Sequence, residues 1–580
     1  MVLRKSKSTA VQNDDVARIF DQLADLLEID DANPFRVRAY RNAARMLRAY
    51  PKEVADLIAD GEDLSKLPTI GEDLAGKIKE IVDTGHLKML DNLERTMPAE
   101  LATLAHIPGL GPRRVKQLHD ELGIKSKSGL QRAATRGEIS TLSGFGDKTE
   151  SRIRAYFTGD RAGDNRMRLF DAAVISDRII AHMSMVAATK NIAVAGSYRR
   201  RKETVGDLDV LVAAKNPQLV IDHFTKFNEI AHIDAKGKTR VTVELRSGLQ
   251  IDLRVVKPES YGAALVYFTG SKAHNIALRK RAVASGLKLN EYGVFKGARS
   301  VAGRTEADVY AAVGLPFIAP EMREARGEIE AAVKGNLPRL VTEENLRGDL
   351  HVHTKASDGA NSIREMALAA KKRGYAYIAV ADHTKHVKIA HGLDARRLER
   401  QIAQIDKLNE ELTDIRVLKS AEVDILADGA LDMPDATLAK LDLAVCAIHY
   451  DFNLSAQKQT ERILRAMDHP VFSILAHPTC RLIGERDPMR VNMDRLMDAA
   501  LERGCFLEVN GQPERMDLND IYCRMAKDRG LKLALSTDAH STRQLGFMAL
   551  GLGQARRGWL EKKDVINTRM WRDLKKLLKR

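Results

Sequence analysis

Acidic and imidazole side chains fall into two patterns in this 580-residue chain, and each could hold divalent cations. The first is made of carboxylates alone. Asp207 and Asp209 stand two apart in DLDVLVA, and Asp252 lies in LQIDLRVV between Ile251 and Leu253. Alternation and β-branched content make both runs strands, so Asp207 and Asp209 project from one face. Three carboxylates meeting there would repel one another unless Mg²⁺ or Mn²⁺ neutralised them. Two such ions can activate an attacking oxygen and stabilise a leaving one in phosphoryl transfer. A lone DxD would be read as solvated acids. Here GSYRRRKETVG precedes it, and Gly196 with Ser197, then Arg199, Arg200 and Arg201, and Gly206 offer backbone N–H groups, a hydroxyl and guanidinium forks suited to a triphosphate.

The second pattern is rich in histidine. His351 and His353 (DLHVH), Asp358, His383 (ADH), Glu422 (AEVD), His449, His477, and Asp538 with His540 (STDAH) nearly all close short apolar runs. The period of two puts His351 and His353 on one strand face. Nine such groups exceed the needs of one ion, so two or three clustered ions, Mn²⁺ or Zn²⁺, are expected. His386, His391 and His469 read as structural residues.

The elements that must carry these groups differ along the chain. The first 157 residues show apolar positions recurring at three and four, a helical period. Three segments there (67–81, 106–122 and 142–157) share a Gly-containing turn followed by a helix with basic side chains. A Gly-rich turn at a helix start presents N–H groups to a phosphate. From Asn191 short strands appear, and from about 348 apolar strands alternate with amphipathic helices, the rhythm of a parallel barrel with its active residues at strand ends. Polar joints are expected at 158–165 and at about 320–347.

Length, at roughly 100–200 residues per domain, predicts three to five domains. With 44% hydrophobic and 30% charged residues, global disorder and a collagenous fibre are excluded. The four cysteines are too sparse for a disulfide scaffold or a CxxC zinc site. No apolar run reaches a membrane span, and MVLRKSKSTA lacks a signal peptide's apolar core, so a cytoplasmic protein without a membrane partner is expected. A net charge of +14 favours a polyanionic partner, and the basic excess lies beyond residue 160.

GSYRRRKETVGDLDVLV, YFTGSKAHNIALR, LNEYGVF and TEADVYAAVGLPFIAPEMREARGEIE together resemble family X DNA polymerases, and the three Gly turns resemble helix-hairpin-helix motifs. The pattern HxH…D…DH…E…H…H…DxH is similar to the polymerase and histidinol phosphatase (PHP) domain. The pairing resembles the bacterial and archaeal PolX enzymes over nearly the whole chain. The resemblance implies a multidomain fold: an all-α helix-hairpin-helix N-terminal region, an α+β nucleotidyltransferase palm with a helical/mixed nucleotide-binding subdomain, and a C-terminal α/β PHP barrel, distorted and seven-stranded. Expected boundaries are 1–90 for the 8-kDa-like helical domain, 91–160 for the second helical subdomain, 161–260 for the palm and 261–320 for nucleotide selection. A linker at 321–347 and the PHP domain at 348–580 follow.

Carried over by position, Asp207, Asp209 and Asp252 would hold metal, and Asp252 would help activate the primer 3′-hydroxyl. Ser197, Arg200 and Gly206 would hold the triphosphate. Tyr267 and Phe268 would lie under the sugar, Asn275 would touch the base edge and Arg279 the template. Lys77 falls where the vertebrate relative has a Schiff-base lysine, but Asp73 replaces a lysine there, so a DNA contact is the first reading and lyase chemistry the alternative. In the barrel, Asp358, His383 and His540 would hold one ion. His351, His353, Glu422, His449, His477 and Asp538 would hold the other two, Glu422 bridging. The expected function is gap-filling DNA synthesis from dNTPs in repair by a monomer acting on gapped or primer–template DNA, joined to a 3′→5′ exonuclease that also cuts at abasic sites. The rivals are a PHP domain acting as a small-molecule phosphatase, and a non-enzymatic DNA tether.

Overall fold

The structure is a computed structural model that describes residues 11–578 except 51, 96, 99, 106, 108, 109, 147, 148, 151, 152, 155–165 and 187–190. The joint expected at 158–165, and His106 and Gly109 of the second Gly turn, lie outside the described residues. Packing divides the chain into two units, Met1–Asn165 and Arg166–Arg580.

The first unit is helical among its described residues. Helices α1 (Asn13–Ile29) and α2 (Pro34–Ala49) pack Phe20, Leu23 and Leu26 against Tyr40 and Leu47, all buried. Asn33 caps α2 by accepting from Phe35 N, with Pro34 just inside. Helices α3 (Glu72–Thr84) and α4 (Pro112–Leu122) follow two of the Gly turns, and Gly71 and Gly111 are their N-caps. Among the described residues nothing lies within 4 Å of where a Cβ would sit at either glycine, and their φ values, −96° and −92°, suit any residue. Neither packing nor backbone strain requires glycine here. What it provides is bare access to the amides that open each helix.

The second unit begins with a five-stranded sheet. Its strands are β1 (Asn191–Val194), β2 (Asp207–Ala213), β3 (Ile230–Lys236), β4 (Arg240–Leu245) and β5 (Gln250–Val256), in the order β1-β2-β5-β4-β3. Only the β2/β5 pair is parallel. Helices Leu169–Ser184 and Pro217–Phe224 cover one face through Ile179, Val220 and Phe224, while helix Tyr261–Thr269 lies against Leu211 through Ala264 and Leu265. A three-stranded meander follows: β6 (Lys288–Asn290), β7 (Gly293–Lys296) and β8 (Arg299–Ala302). The stretch expected as a linker carries buried contacts: Arg323 is fully buried and bonds Glu306 at 2.8 Å and the Ile318 carbonyl at 2.9 Å.

The C-terminal strands are β9 (Gly348–Val352), β10 (Tyr377–Val380), β11 (Arg416–Lys419), β12 (Glu422–Asp424), β13 (Ala444–Ala447), β14 (Phe472–Leu475), β15 (Phe506–Asn510) and β16 (Leu533–Ser536). They form sheets β9-β10-β11 and β12-β13-β14-β15-β16, parallel throughout. Only Ser420 and Ala421 separate β11 from β12, so 416–424 is one bent strand and the barrel has seven. The parallel bridge His383↔Glu422 joins the two sheets, and Val352↔Ala539 closes the circle. Burial on both faces explains the continuous apolar runs. Val352, Val380 and Leu507 pack under helices, while Leu350, Ala379, Val445 and Ile474 form an inner cluster with Leu574 of helix Trp571–Leu578.

Candidate active sites

Strand register assembles the carboxylates of the first site. Pairing of β2 with β5 sets Asp209 opposite Asp252, with Asp207 two residues earlier on β2, and pairing of β4 with β5 sets Thr242 opposite Asp252. Thr242 Oγ1 donates to Asp252 Oδ1 at 2.6 Å, and Gln250 Nε2 donates to Oδ2 at 2.9 Å. Asp209 sits in a repulsive setting: burial, then the charges of Asp207 and Asp252, push its pKa up to about 7. Asp207 is raised by burial and by Asp252. A divalent cation relieves crowding of this kind. The three acids share a face without converging on one point. Among the described residues, the ligand groups whose atoms lie within 4.8 Å of one another all belong to the barrel.

Gly196, two residues past β1, has φ 62°, and a Cβ there would stand 2.6 Å from Asp209 Oδ2, so only glycine lets the chain pass the carboxylate. Ser197 follows in the short turn Gly196–Arg199, and Gly206 directly precedes Asp207. The three arginines separate by contact. Arg199 is forked onto Glu306 at 2.8 and 2.6 Å. Arg200 gives Nε to Glu324 and Nη1 to the Thr269 carbonyl, and its Nη2 has no hydrogen bond among the described residues. Arg201 lies beside Tyr198. Further along, Tyr267, Asn275 and Arg279 line one small concavity with Leu289 and Asn290, Asn275 Nδ2 donating to the Tyr267 carbonyl at 2.6 Å. Phe268 lies apart from that concavity's lining, with the Arg254 guanidinium 4.6 Å from its ring centre. His274, next to Asn275 in the chain, is buried between Glu328 and Tyr310.

In the barrel the strand ends bring all nine predicted groups into one cluster. His353, Asp358, His383 and His540 form one ligand group, His351, His353 and Asp538 a second, and His383, Glu422 and His449 a third. His353 and His383 each belong to two groups. His477 joins through Nε2, 2.9 Å from Glu422 Oε1. The Nε2 atoms of His351 and His353 face each other at 3.1 Å. Buried and without a hydrogen-bond partner among the described residues are His353 Nδ1 and His477 Nδ1. Orphaned donor atoms within an imidazole–carboxylate cluster fit transition-metal ions. Burial opposes charge throughout, yet His383, His449 and His351 hold Glu422 well below the usual carboxylate range. His383 rises to about 10, Glu422 and Asp358 outweighing its burial. His353 is pushed down to about 4 by burial and by His540 and His383, which keeps it neutral.

Sequence reasoning missed the residues that orient these groups. Glu508 holds His351 Nδ1 at 2.8 Å and Asp424 holds His449 Nδ1 at 2.9 Å, which aims each ring's other nitrogen at the cluster. Asp382 binds Thr354, Ser357 and Gln401, fixing the turn that carries Asp358. An acid inside an otherwise apolar strand, as in CFLEVN, was the available signal. His386 contacts Asp424 and, with Lys385, Lys388, Leu431 and Met433, lines a cavity of about 600 Å³. In the helical unit Lys77 Nζ is engaged by Asp73 and lies 5.9 Å from the Tyr40 ring centre.

The helical unit, the palm carboxylates and seven of the nine barrel groups fall within regions that match known families, the PHP match ending before Asp538 and His540. Matches are a helix-hairpin-helix domain at 11–87, a SAM-like helix-hairpin-helix tandem at 101–156, a DNA polymerase beta palm at 170–252, a DNA polymerase beta thumb at 264–324 and a PHP domain at 349–511. The DNA polymerase/3′-5′ exonuclease PolX of Bacillus subtilis (strain 168) is 36% identical over 570 residues, 98% of this chain and 99% of that one. The chain belongs to the PolX family. The resemblance read from the motifs therefore holds for fold and family alike: a helix-hairpin-helix region, a polymerase-beta-like palm and thumb, and a PHP domain built on parallel sheets. Other relatives of this PolX chain match parts of it. DNA polymerase lambda of Rattus norvegicus is 24% identical over 320 residues, 50% of this chain and 52% of its own. A probable phosphatase of Thermoanaerobacter sp. (strain X514) is 27% identical over 234 residues, 38% of this chain and 89% of its own. No described helix is long and apolar enough to cross a membrane.

Proposed function

We propose that this chain extends DNA primers at the palm and shortens 3′ ends at the barrel, serving gap filling in DNA repair. The observation that carries the reading is the presence, in one PolX chain, of a palm carboxylate face beside an arginine-bearing turn and a barrel cluster of nine imidazole and carboxylate groups. At the palm, Asp207, Asp209 and Asp252 would hold Mg²⁺ or Mn²⁺, which neutralise phosphate charge when bound. Asp252, oriented by Thr242 and Gln250, serves the primer 3′-hydroxyl. Ser197, Arg200 and Gly206 grip the triphosphate, Tyr267 and Phe268 underlie the sugar, Asn275 meets the base and Arg279 the template. At the barrel, the nine imidazole and carboxylate groups would hold two or three Mn²⁺ or Zn²⁺ ions that act as Lewis acids on a phosphodiester.

Gapped or primer–template DNA and dNTPs are the substrates, a monomer is the working form and the cytoplasm its location. Lys77 contacts DNA; a lyase role would require its amine to leave Asp73. The similarity to a probable phosphatase favours one second reading, a barrel that hydrolyses a small phosphate ester. Labelled primer–template in Mn²⁺, with and without dNTPs, separates the two. Extension with dNTPs and shortening without them support the proposal; extension with no shortening, alongside hydrolysis of a small ester, supports the second reading.

A further inference from the structure

The segment between β1 and β2 carries Ser197, Arg200 and Gly206, and residues of the barrel hold it in place. Arg201 within it has φ 56°, a left-handed conformation unfavourable for a residue with a side chain. A strained turn persists only where surrounding contacts over-determine it. Those contacts come from helix Met548–Arg557 and from Arg481. Arg557 Nη1 donates to the Arg200 carbonyl at 2.7 Å and to Glu324 Oε1 at 3.0 Å, while its Nη2 donates to Asp520 Oδ2 at 2.7 Å. Gln554 Nε2 donates to the Arg201 carbonyl at 3.4 Å. A Cβ on Gly553 would stand 3.3 Å from Arg201 Cβ, so helix and turn are in close contact. Arg481 Nη2 donates to Glu203 at 2.7 Å.

The Arg200 side chain is held by the same group. Its Nε donates at 3.0 Å to Glu324 Oε1, the oxygen that Arg557 also uses. One carboxylate oxygen therefore ties an arginine of the barrel to the arginine assigned to the triphosphate. The Arg557 side chain is 3% exposed, so its fork operates away from water, where a guanidinium's fixed planar geometry sets direction as well as charge.

We propose that Arg557 is a positioning residue of the polymerase site: from within the PHP domain it fixes the Arg200 backbone and the Arg200–Glu324 pair, so that Arg200 is preorganised for the incoming triphosphate. The proposal rests on Arg200 as a triphosphate ligand. Holding a binding group in place before substrate arrives removes an ordering cost from the substrate's own binding. Loss of Arg557 therefore raises the dNTP KM more than it lowers kcat, and it spares the barrel's own site.

The test uses the full-length protein and steady-state primer extension in Arg557→Lys, Gln554→Ala and the double variant Arg557→Met with Asp520→Asn, which avoids stranding a buried acid. Arg200→Ala is the reference. The expected result for the double variant is a dNTP KM about tenfold higher with kcat within about threefold, and shortening of DNA in Mn²⁺ within about twofold of wild type. Arg557→Lys keeps the charge without the fork and falls between. An unchanged KM in a folded double variant overturns the proposal, as does a parallel fall of both activities tracking the melting temperature. Should the double variant fail to fold, an unchanged KM in both Arg557→Lys and Gln554→Ala overturns it. If Arg200→Ala itself leaves KM unaltered, the triphosphate assignment fails and takes the proposal with it. A raised KM there, with none in the Arg557 variants, sinks the positioning role alone.

Discussion

Asp209 is the residue on which the palm's electrostatics turn. Burial and two like charges raise it to about 7, so much of its affinity for a proton is affinity that a cation can take over. Asp209→Ala should cut primer extension on the order of 10³-fold or more, since a lost metal contact in phosphoryl transfer removes several kcal/mol of transition-state stabilisation. DNA affinity, read by fluorescence anisotropy on the same primer–template, should stay near wild type; a variant that still extends at the wild-type rate removes Asp209 from the site. The reciprocal experiment is His351→Ala with His353→Ala. It takes two imidazoles from the barrel groups and leaves the β2 and β5 carboxylates alone, so shortening should vanish while extension persists. Bound metal, measured by elemental analysis after dialysis, should fall with it. Shortening at the wild-type rate in a folded double variant would place the exonuclease elsewhere. The candidate ligands were legible as groups sharing a strand face, because HxH and DxD spacing survives in any strand. Their orienting partners were not, because Glu508 and His351 are 157 positions apart and meet only through the barrel.

Among the elements, the two Gly-capped helices offer a test in which stability and binding move in opposite directions. No described residue crowds a Cβ at Gly71 or Gly111, and aspartate is a favourable N-cap. Gly71→Asp with Gly111→Asp should therefore leave the helical unit at least as stable to heat. The same carboxylates stand where a DNA phosphate would approach, so affinity should drop about tenfold or more at ~0.1 M salt, with a shallower salt dependence. Unaltered affinity would mean these helix starts do not touch the backbone of DNA. Sequence alone located the turns by their repeat, but not that conformation leaves either glycine replaceable, which only the ordinary φ values reveal. The bend at 416–424 was likewise hidden. Two residues, Ser420 and Ala421, let one strand pair with β10 at one end and β13 at the other, and no propensity marks that switch.

At the scale of the whole second unit, the palm and barrel share a buried ionic cluster. Glu324 is held down at about 2: burial opposes the charge, and Arg557, Arg200 and Lys202 overcome it. Asp520 is depressed below the usual carboxylate range, Arg557 and Arg326 outweighing its burial. A carboxylate whose folded pKa lies below its unfolded value, roughly 4.3, contributes stability at neutral pH. That contribution is intact above the unfolded value and is lost as pH falls toward the folded one. Glu324→Gln should thus be less stable than wild type at pH 7, the difference shrinking between about pH 4.5 and 2. Thermal melts across that range check it, and a pH-independent difference would show that Glu324 acts by packing alone. None of this was legible beforehand. The domain textures follow from periodicity, whereas Arg557 and Arg200 lie 357 positions apart and only the folded chain pairs them.

The single bridge that closes the barrel, Val352↔Ala539, also imposes an order in time. His351 and His353 leave the ribosome roughly 190 residues before His540, a lag of about 10–40 s at ordinary elongation rates. Until the last strand docks, the early imidazoles have neither Asp538 nor His540 beside them, so the nascent polymerase half can fold while the nuclease half has no complete centre. An ion held by these groups would be captured only as the barrel closes and would reinforce closure, because an ion that binds only the closed form draws the equilibrium toward it.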